Sequence, residues 1–192
     1  MTEGRTARPR GPWRMVVAAF GAMAMAVVGV TGADAAPAAG PFAVQAERAG
    51  LSPAQAKELQ ARVDGYLRRT GGVQTAANQI GYDGARLTLP LPGQERAQVI
   101  TAAGPAPLSC ASTYFCAYQG RNFTGAMLDV WRCSDNLFIP WLETDGSWYN
   151  NQTRGTQARF QNGGGGSWYV GGALSEQRTG VRWNDIYYID PC

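Results

Sequence analysis

The residues with the most chemical reach are the four cysteines, Cys110, Cys116, Cys133 and Cys192, all in the C-terminal half of the chain. Cysteine can be a nucleophile, a metal ligand, a redox centre or half of a disulfide. The sequence contains no histidine, so neither a Ser-His-Asp nor a Cys-His arrangement can be assembled. A zinc site would need all four cysteines, or carboxylates in place of some, and separations of 6, 17 and 59 residues resemble no zinc knuckle. An even cysteine count in an exported chain favours two disulfides, and oxidised cysteines are not nucleophiles. What remains for catalysis is a carboxylate pair, with Glu143 and Asp145 two apart and Asp185 and Asp190 elsewhere. Acids so placed more often shape turns than do chemistry, and no enzymatic activity is expected.

The compartment follows from the N-terminus. Arg5, Arg8, Arg10 and Arg14 precede an apolar run from Met15 to Val30, and Ala33-Asp34-Ala35 offers an A-x-A cleavage site. As a helix that run spans about 24 Å, short of the ~30 Å hydrocarbon core, so residues 1–35 read as a signal peptide; the alternative is an uncleaved anchor. Removing them takes away four arginines and two acids (Glu3 and Asp34), and the formal charge drops from +3 to +1. No basic patch remains for nucleic acid. The mature chain is expected to be secreted, extracellular, free of the membrane and monomeric.

The elements that must position the cysteines fall into two stretches. Ala36–Pro41 reads as a flexible lead. Ser52, Pro53 and Gln55 form a helix start with a capping box; Leu59, Val63, Tyr66 and Leu67 repeat at helical spacing, and Gly71-Gly72 ends the element. Val73–Ile80 and Arg86–Leu91 predict two strands joined through Gly81-Tyr82-Asp83-Gly84. Thr101–Pro107 reads as a linker. Residues 36–107 thus form a helix/hairpin segment whose core is marginal alone. It is expected either to dock on the C-terminal domain or to be a pro-region removed after export. From Leu108 onward the chain carries fifteen aromatics, five of the six tryptophans, and short apolar runs between Gly, Asn and Ser turns. That pattern predicts a sandwich of antiparallel strands over 108–192.

Tyr118-Gln-Gly-Arg-Asn-Phe123-Thr-Gly125 resembles the folded hairpin of βγ-crystallin Greek keys, in which two rings pack over a sharp bend and the glycine takes a backbone conformation other residues resist. Ser147 stands where that family places a serine closing the hairpin. Thr156–Cys192 resembles a looser second copy, with a glycine loop at Gly163–Gly166 and strand material at Phe160, Trp168–Gly171, Val181–Trp183 and Tyr187–Ile189. The Cys110-x5-Cys116 bracket ahead of the hairpin is similar to secreted bacterial metalloproteinase inhibitors with a βγ-crystallin fold. Leu51–Gln94 resembles a region that accompanies such domains in actinobacterial secreted proteins. The resemblance implies a mainly β fold, a two-Greek-key sandwich preceded by a small α+β segment, and a peptidase inhibitor with an extracellular, metallo-type protease as partner.

One departure limits what carries over. The family's reactive bond sits in a second, locally closed cysteine loop, and Cys133 has no neighbour with which to close one. Four cysteines allow three pairings; Cys110–Cys116 and Cys133–Cys192 are favoured, since the first closes a short loop and the second ties down the terminus. Crystallin-type calcium sites use a doubled Asn/Asp followed, after two intervening residues, by paired Ser/Thr. Asn184-Asp185 is followed by Tyr188-Ile189, and Asn150-Asn151 by Gln152-Thr153, so neither spacing fits; no cofactor is expected and only weak calcium binding is left open.

Five tryptophans exceed what so small a sandwich can bury, and Trp131, Trp141 and Trp168 are the candidates for partner contact. Ser134–Thr144 and Gly163–Gly166 are the expected variable surfaces. The leading expectation is a secreted inhibitor whose rigid loop fills a protease cleft. The alternative is a crystallin-type binding module for cell wall, glycan or calcium, without inhibitory activity.

Overall fold

The structure, a computed structural model, describes residues 40–133 and 137–192. The expected leader (1–35) and most of the Ala36–Pro41 lead lie outside them. Two helices come first, α1 (Pro41–Arg48) and α2 (Pro53–Thr70). α2 starts as its residues dictate: the Ser52 hydroxyl accepts from Gln55 N, the Gln55 side chain accepts from Ser52 N, and Gly71 at φ 69° ends it. Its buried face is Ala56, Leu59 and Val63.

The remainder is mainly β. Strands β1 (Val73–Ala76), β2 (Gln79–Tyr82) and β3 (Ala85–Thr88) are followed by β4 (Gln98–Thr101), β5 (Gly104–Pro107), β6 (Tyr114–Tyr118) and β7 (Met127–Val130). Then come β8 (Leu137–Phe138), β9 (Gly146–Asn151), β10 (Gln157–Gln161), β11 (Ser167–Gly172), β12 (Ser175–Val181) and β13 (Tyr188–Asp190). Seven strands form one sheet in the order β1-β2-β3-β7-β6-β9-β12, and four form a second in the order β11-β10-β13-β8. Among the described residues the strand ladders are antiparallel, and an isolated bridge between Arg96 and Gly125 is parallel. The sheets pack face to face: Phe115 of β6 meets Phe160 of β10 edge-on at 5.9 Å, and Phe115, Trp148, Phe160, Trp183 and Ile189 belong to one buried cluster.

Two strands change sheets. In the run β6-β7-β8-β9 the third strand joins the four-stranded sheet; in β10-β11-β12-β13 the third strand joins the seven-stranded one. The two halves are therefore interleaved. The Cys133–Cys192 disulfide links the chain just after β7 in one sheet to the terminus just after β13 in the other, and Cys110–Cys116 pins the entry of β6.

Several expectations are corrected in detail. Val73–Ile80 is two strands, because the chain turns at Ala77-Asn78: Ala77 N donates to Gln45 Oε1, and Asn78 Nδ2 donates to Leu89 O and Gln98 O. The Thr101–Pro107 linker is half of the β4–β5 hairpin. Val181–Trp183 yields a strand end and then a 3₁₀ turn over Trp183–Asp185. β3 pairs with β7 through Ala85↔Val130, Arg86↔Asp129, Leu87↔Leu128 and Thr88↔Met127, so the N-terminal segment extends the larger sheet. Ala46, Leu59, Val63, Ile80, Leu87, Leu89 and Leu91 share the buried cluster with Phe115 and Trp183.

Candidate functional site

The folded hairpin Tyr118–Gly125 is held from two directions. The Tyr118 and Phe123 rings lie 4.9 Å apart, and burial pushes the Tyr118 phenol well above its ordinary pKa, so it stays neutral. Gly125 has φ +77°, and a Cβ there would sit 2.8 Å from Gln119 Cβ. Asn122 and Phe123 also take left-handed backbone, at φ 52° and 63°. Ser147 on β9 closes the bend: its Oγ accepts from Phe123 N at 2.9 Å and donates to Gly120 O at 2.6 Å. Ser147→Ala leaves both groups without that partner at a fully buried position. The expected cost is about 1–3 kcal/mol, read as a lower urea midpoint with an unchanged m-value.

Beside the hairpin runs the segment from β8 to β9. Ile139, Pro140 and Trp141 are buried; Leu142, Glu143 and Thr144 are exposed; Gly146 and Ser147 are buried again. Trp141 stacks edge-on against Trp183 at 6.1 Å. Glu143 is held three ways: its carbonyl accepts from Trp183 N at 2.8 Å, and its carboxylate accepts from Gln119 Nε2 at 2.5 Å and from Leu142 N at 3.0 Å. Asp145 pairs with Arg121 at 2.6 Å and accepts from Gly180 N at 2.7 Å. A short exposed tip is thus fixed at both ends. An open cleft of about 1020 Å³ lies between the tip, the hairpin and the β3–β4 connection, lined among others by Glu95, Arg96, Gln119, Arg121, Leu142 and Glu143.

The carboxylates considered for chemistry all have structural partners. Besides Glu143 and Asp145, Asp185 pairs with Arg182 at 2.7 Å and Asp190 with Arg159 at 2.9 Å. Two of the asparagines considered for calcium, Asn150 and Asn151, are likewise occupied. Asn150 donates to Gly171 O and accepts from Gln152 N, and Asn151 donates to Cys110 O. Among the described residues no group of three or more Cys, Asp or Glu side chains converges on one point, and no helix is long and apolar enough to cross a membrane.

Of the tryptophans singled out for partner contact, Trp131 and Trp168 stand at the surface, 43% and 42% exposed. Trp141 is corrected: at 4% exposure it belongs to the core, because Trp183 gives it an aromatic wall to pack on. Its neighbour Leu142 is the side chain that projects. Sequence reasoning placed Leu142 inside the Ser134–Thr144 surface without singling it out. The available signal was Pro140 before it and the acidic turn Glu143–Asp145 after it.

The glycine loop at 163–166 is a hairpin turn between β10 and β11. Asn162 Oδ1 gathers the amides of Gly164 and Gly166, and Asn162 N donates to Gly166 O. It offers backbone but no side chain to a partner.

No curated protein and no solved structure matches this chain. Residues 103–185 match the family described as peptidase inhibitor family I36. That stretch runs from the β4–β5 turn to the 3₁₀ turn at Trp183–Asp185 and contains the folded hairpin, the braced tip and three of the four cysteines. The match supports a peptidase inhibitor family for this part of the protein and indicates an inhibitor, not an enzyme.

Proposed function

We propose that the protein is a secreted inhibitor of an extracellular peptidase, exported by the leader at residues 1–35 and acting as a monomer. The observation that carries this reading is the inhibitor-family match lying on a β body braced by two disulfides. A loop already fixed by its body loses little conformational freedom on entering a cleft, which favours binding and slows the distortion that cleavage requires. The exchanged third strands and the Tyr118–Phe123–Gly125–Ser147 hairpin support a βγ-crystallin-like body. The metallo-type preference implied by the resemblance belongs to the same proposal.

The test is direct. Residues 36–192, purified with disulfides intact, are titrated against a thermolysin-type metallopeptidase, a chymotrypsin-type and a trypsin-type serine peptidase. Loss of peptidase activity at near-stoichiometric ratios is expected for at least one. A flat response across the panel, with a fluorescence change on adding glycans or calcium, would replace this reading with a binding module.

A further inference from the structure

Inhibition through a loop needs a side chain that projects, backbone able to lie extended in a cleft, and flanks that do not move. Several exposed features fail one of these conditions. The glycine turn at 163–166 has no side chain to insert. Leu174, between β11 and β12, is half exposed but has φ +70°, and a left-handed residue cannot align as a strand along a cleft. Trp168 and Tyr169 are exposed on β11 itself and do not protrude as a loop.

Leu142 meets all three conditions. At 72% exposure it is the most exposed large apolar side chain among the described residues, and it is not one of those with left-handed backbone. The residue before it is buried against Trp183, and the residue after it is anchored to Trp183 N and Gln119. Resting on the inhibitor reading above, we propose that Leu142 is the specificity residue of this protein, inserted into the apolar primary pocket of the target peptidase. The recognised chemistry is a large apolar side chain exposed on a loop braced on both sides.

The position has a further consequence. Leu142 lies inside the stretch closed by Cys133–Cys192, and β8 just before it is paired with β13. A nick on either side of Leu142, in which water adds across the peptide bond to leave a carboxylate and an amine, keeps the two halves joined. Release of product fragments is thereby hindered.

Two peptidase classes carry such a pocket. A thermolysin-type metallopeptidase reads the residue after the scissile bond and would address Trp141–Leu142; a chymotrypsin-type serine peptidase reads the residue before it and would address Leu142–Glu143. The panel separates them, since whichever enzyme the wild-type protein inhibits identifies the class. Leu142→Ala is expected to raise the inhibition constant about 30-fold, as loss of an anchor residue does. Leu142→Arg is expected to lose that enzyme and gain measurable inhibition of trypsin, whose pocket is acidic. Both variants should melt with the wild type, because the side chain is largely exposed. Wild-type inhibition that neither variant changes overturns the assignment of Leu142 and leaves the inhibitor reading standing. A wild-type protein inert against the whole panel overturns both.

Discussion

Arg86→Ala is expected to destabilise the protein by roughly 3 kcal/mol at neutral pH, the cost of removing one partner of a buried ion pair. Arg86 on β3 faces Asp129 on β7 in the strand register, and its Nε and a terminal guanidinium nitrogen both donate to Asp129 Oδ2. The Asp129 side chain is 2% exposed, against 34% for Arg86, so the carboxylate cannot turn to water when the arginine is lost. Burial raises the Asp129 pKa above its ordinary value of 3.8 even with Arg86 in place. A raised folded-state pKa means that the native state binds this proton more tightly than the unfolded state. The contribution of Asp129 therefore falls as pH rises from 3.8 through the folded-state value. Without Arg86 that value rises further, so the deficit of Arg86→Ala should be large at neutral pH and shrink on acidification toward about pH 4. Urea midpoints of both proteins at the two pH values test this. A deficit independent of pH would mean that the pair is not what joins the strands.

The same pair lies on the seam between the N-terminal segment and the rest of the chain. Take away residues 36–101, and β7 becomes an open edge, Asp129 is unpaired, and the buried cluster loses Leu59, Val63, Ile80, Leu87 and Leu89. An open strand edge beside exposed core is an aggregation site. A chain starting at 102 should accordingly be insoluble or far less stable, as read by its urea midpoint.

How far the sequence discloses this arrangement depends on whether the cause is local. α2 is legible because its capping box and apolar stripe act within a few residues. The Tyr118–Phe123–Gly125 bend is legible for the same reason: aromatic spacing and one left-handed glycine define it. The turn at Ala77-Asn78 is not, since no glycine or proline marks it and its partners Gln45, Leu89 and Gln98 come from elsewhere in the chain. Pro105 and Pro107 disguise β5 as a linker; a two-stranded ribbon has free edges on which missing amides cost nothing. Trp141 and Leu142 are adjacent apolar residues, and only the docking of Trp183, from the far end of the domain, decides which is buried.

Trp183 is therefore the residue whose loss should reach furthest. It is fully buried, its indole N–H donates to Tyr118 O at 2.8 Å, and its ring meets Trp141 at 6.1 Å and Phe160 at 5.7 Å. A Cβ on Gly146 would fall 1.7 Å from its Nε1, so β9 carries glycine where it passes the ring. Trp183→Ala opens a large cavity between the sheets, and the expected cost is about 3–5 kcal/mol. Trp183→Phe keeps most of the volume but orphans the Tyr118 carbonyl, for about 1–3 kcal/mol. The two variants should also differ at the exposed tip. In the alanine variant Trp141 loses its aromatic wall, and the amides of Leu142, Glu143 and Thr144 should exchange with solvent faster than those of β6 and β9 at matched stability. In the phenylalanine variant the wall remains, and tip exchange should stay close to wild type. Equal exchange at the tip in both variants would show that Glu143 and its bonds hold the loop without Trp141; selective loosening in the alanine variant would tie the presentation of Leu142 to the packing of the core beneath it.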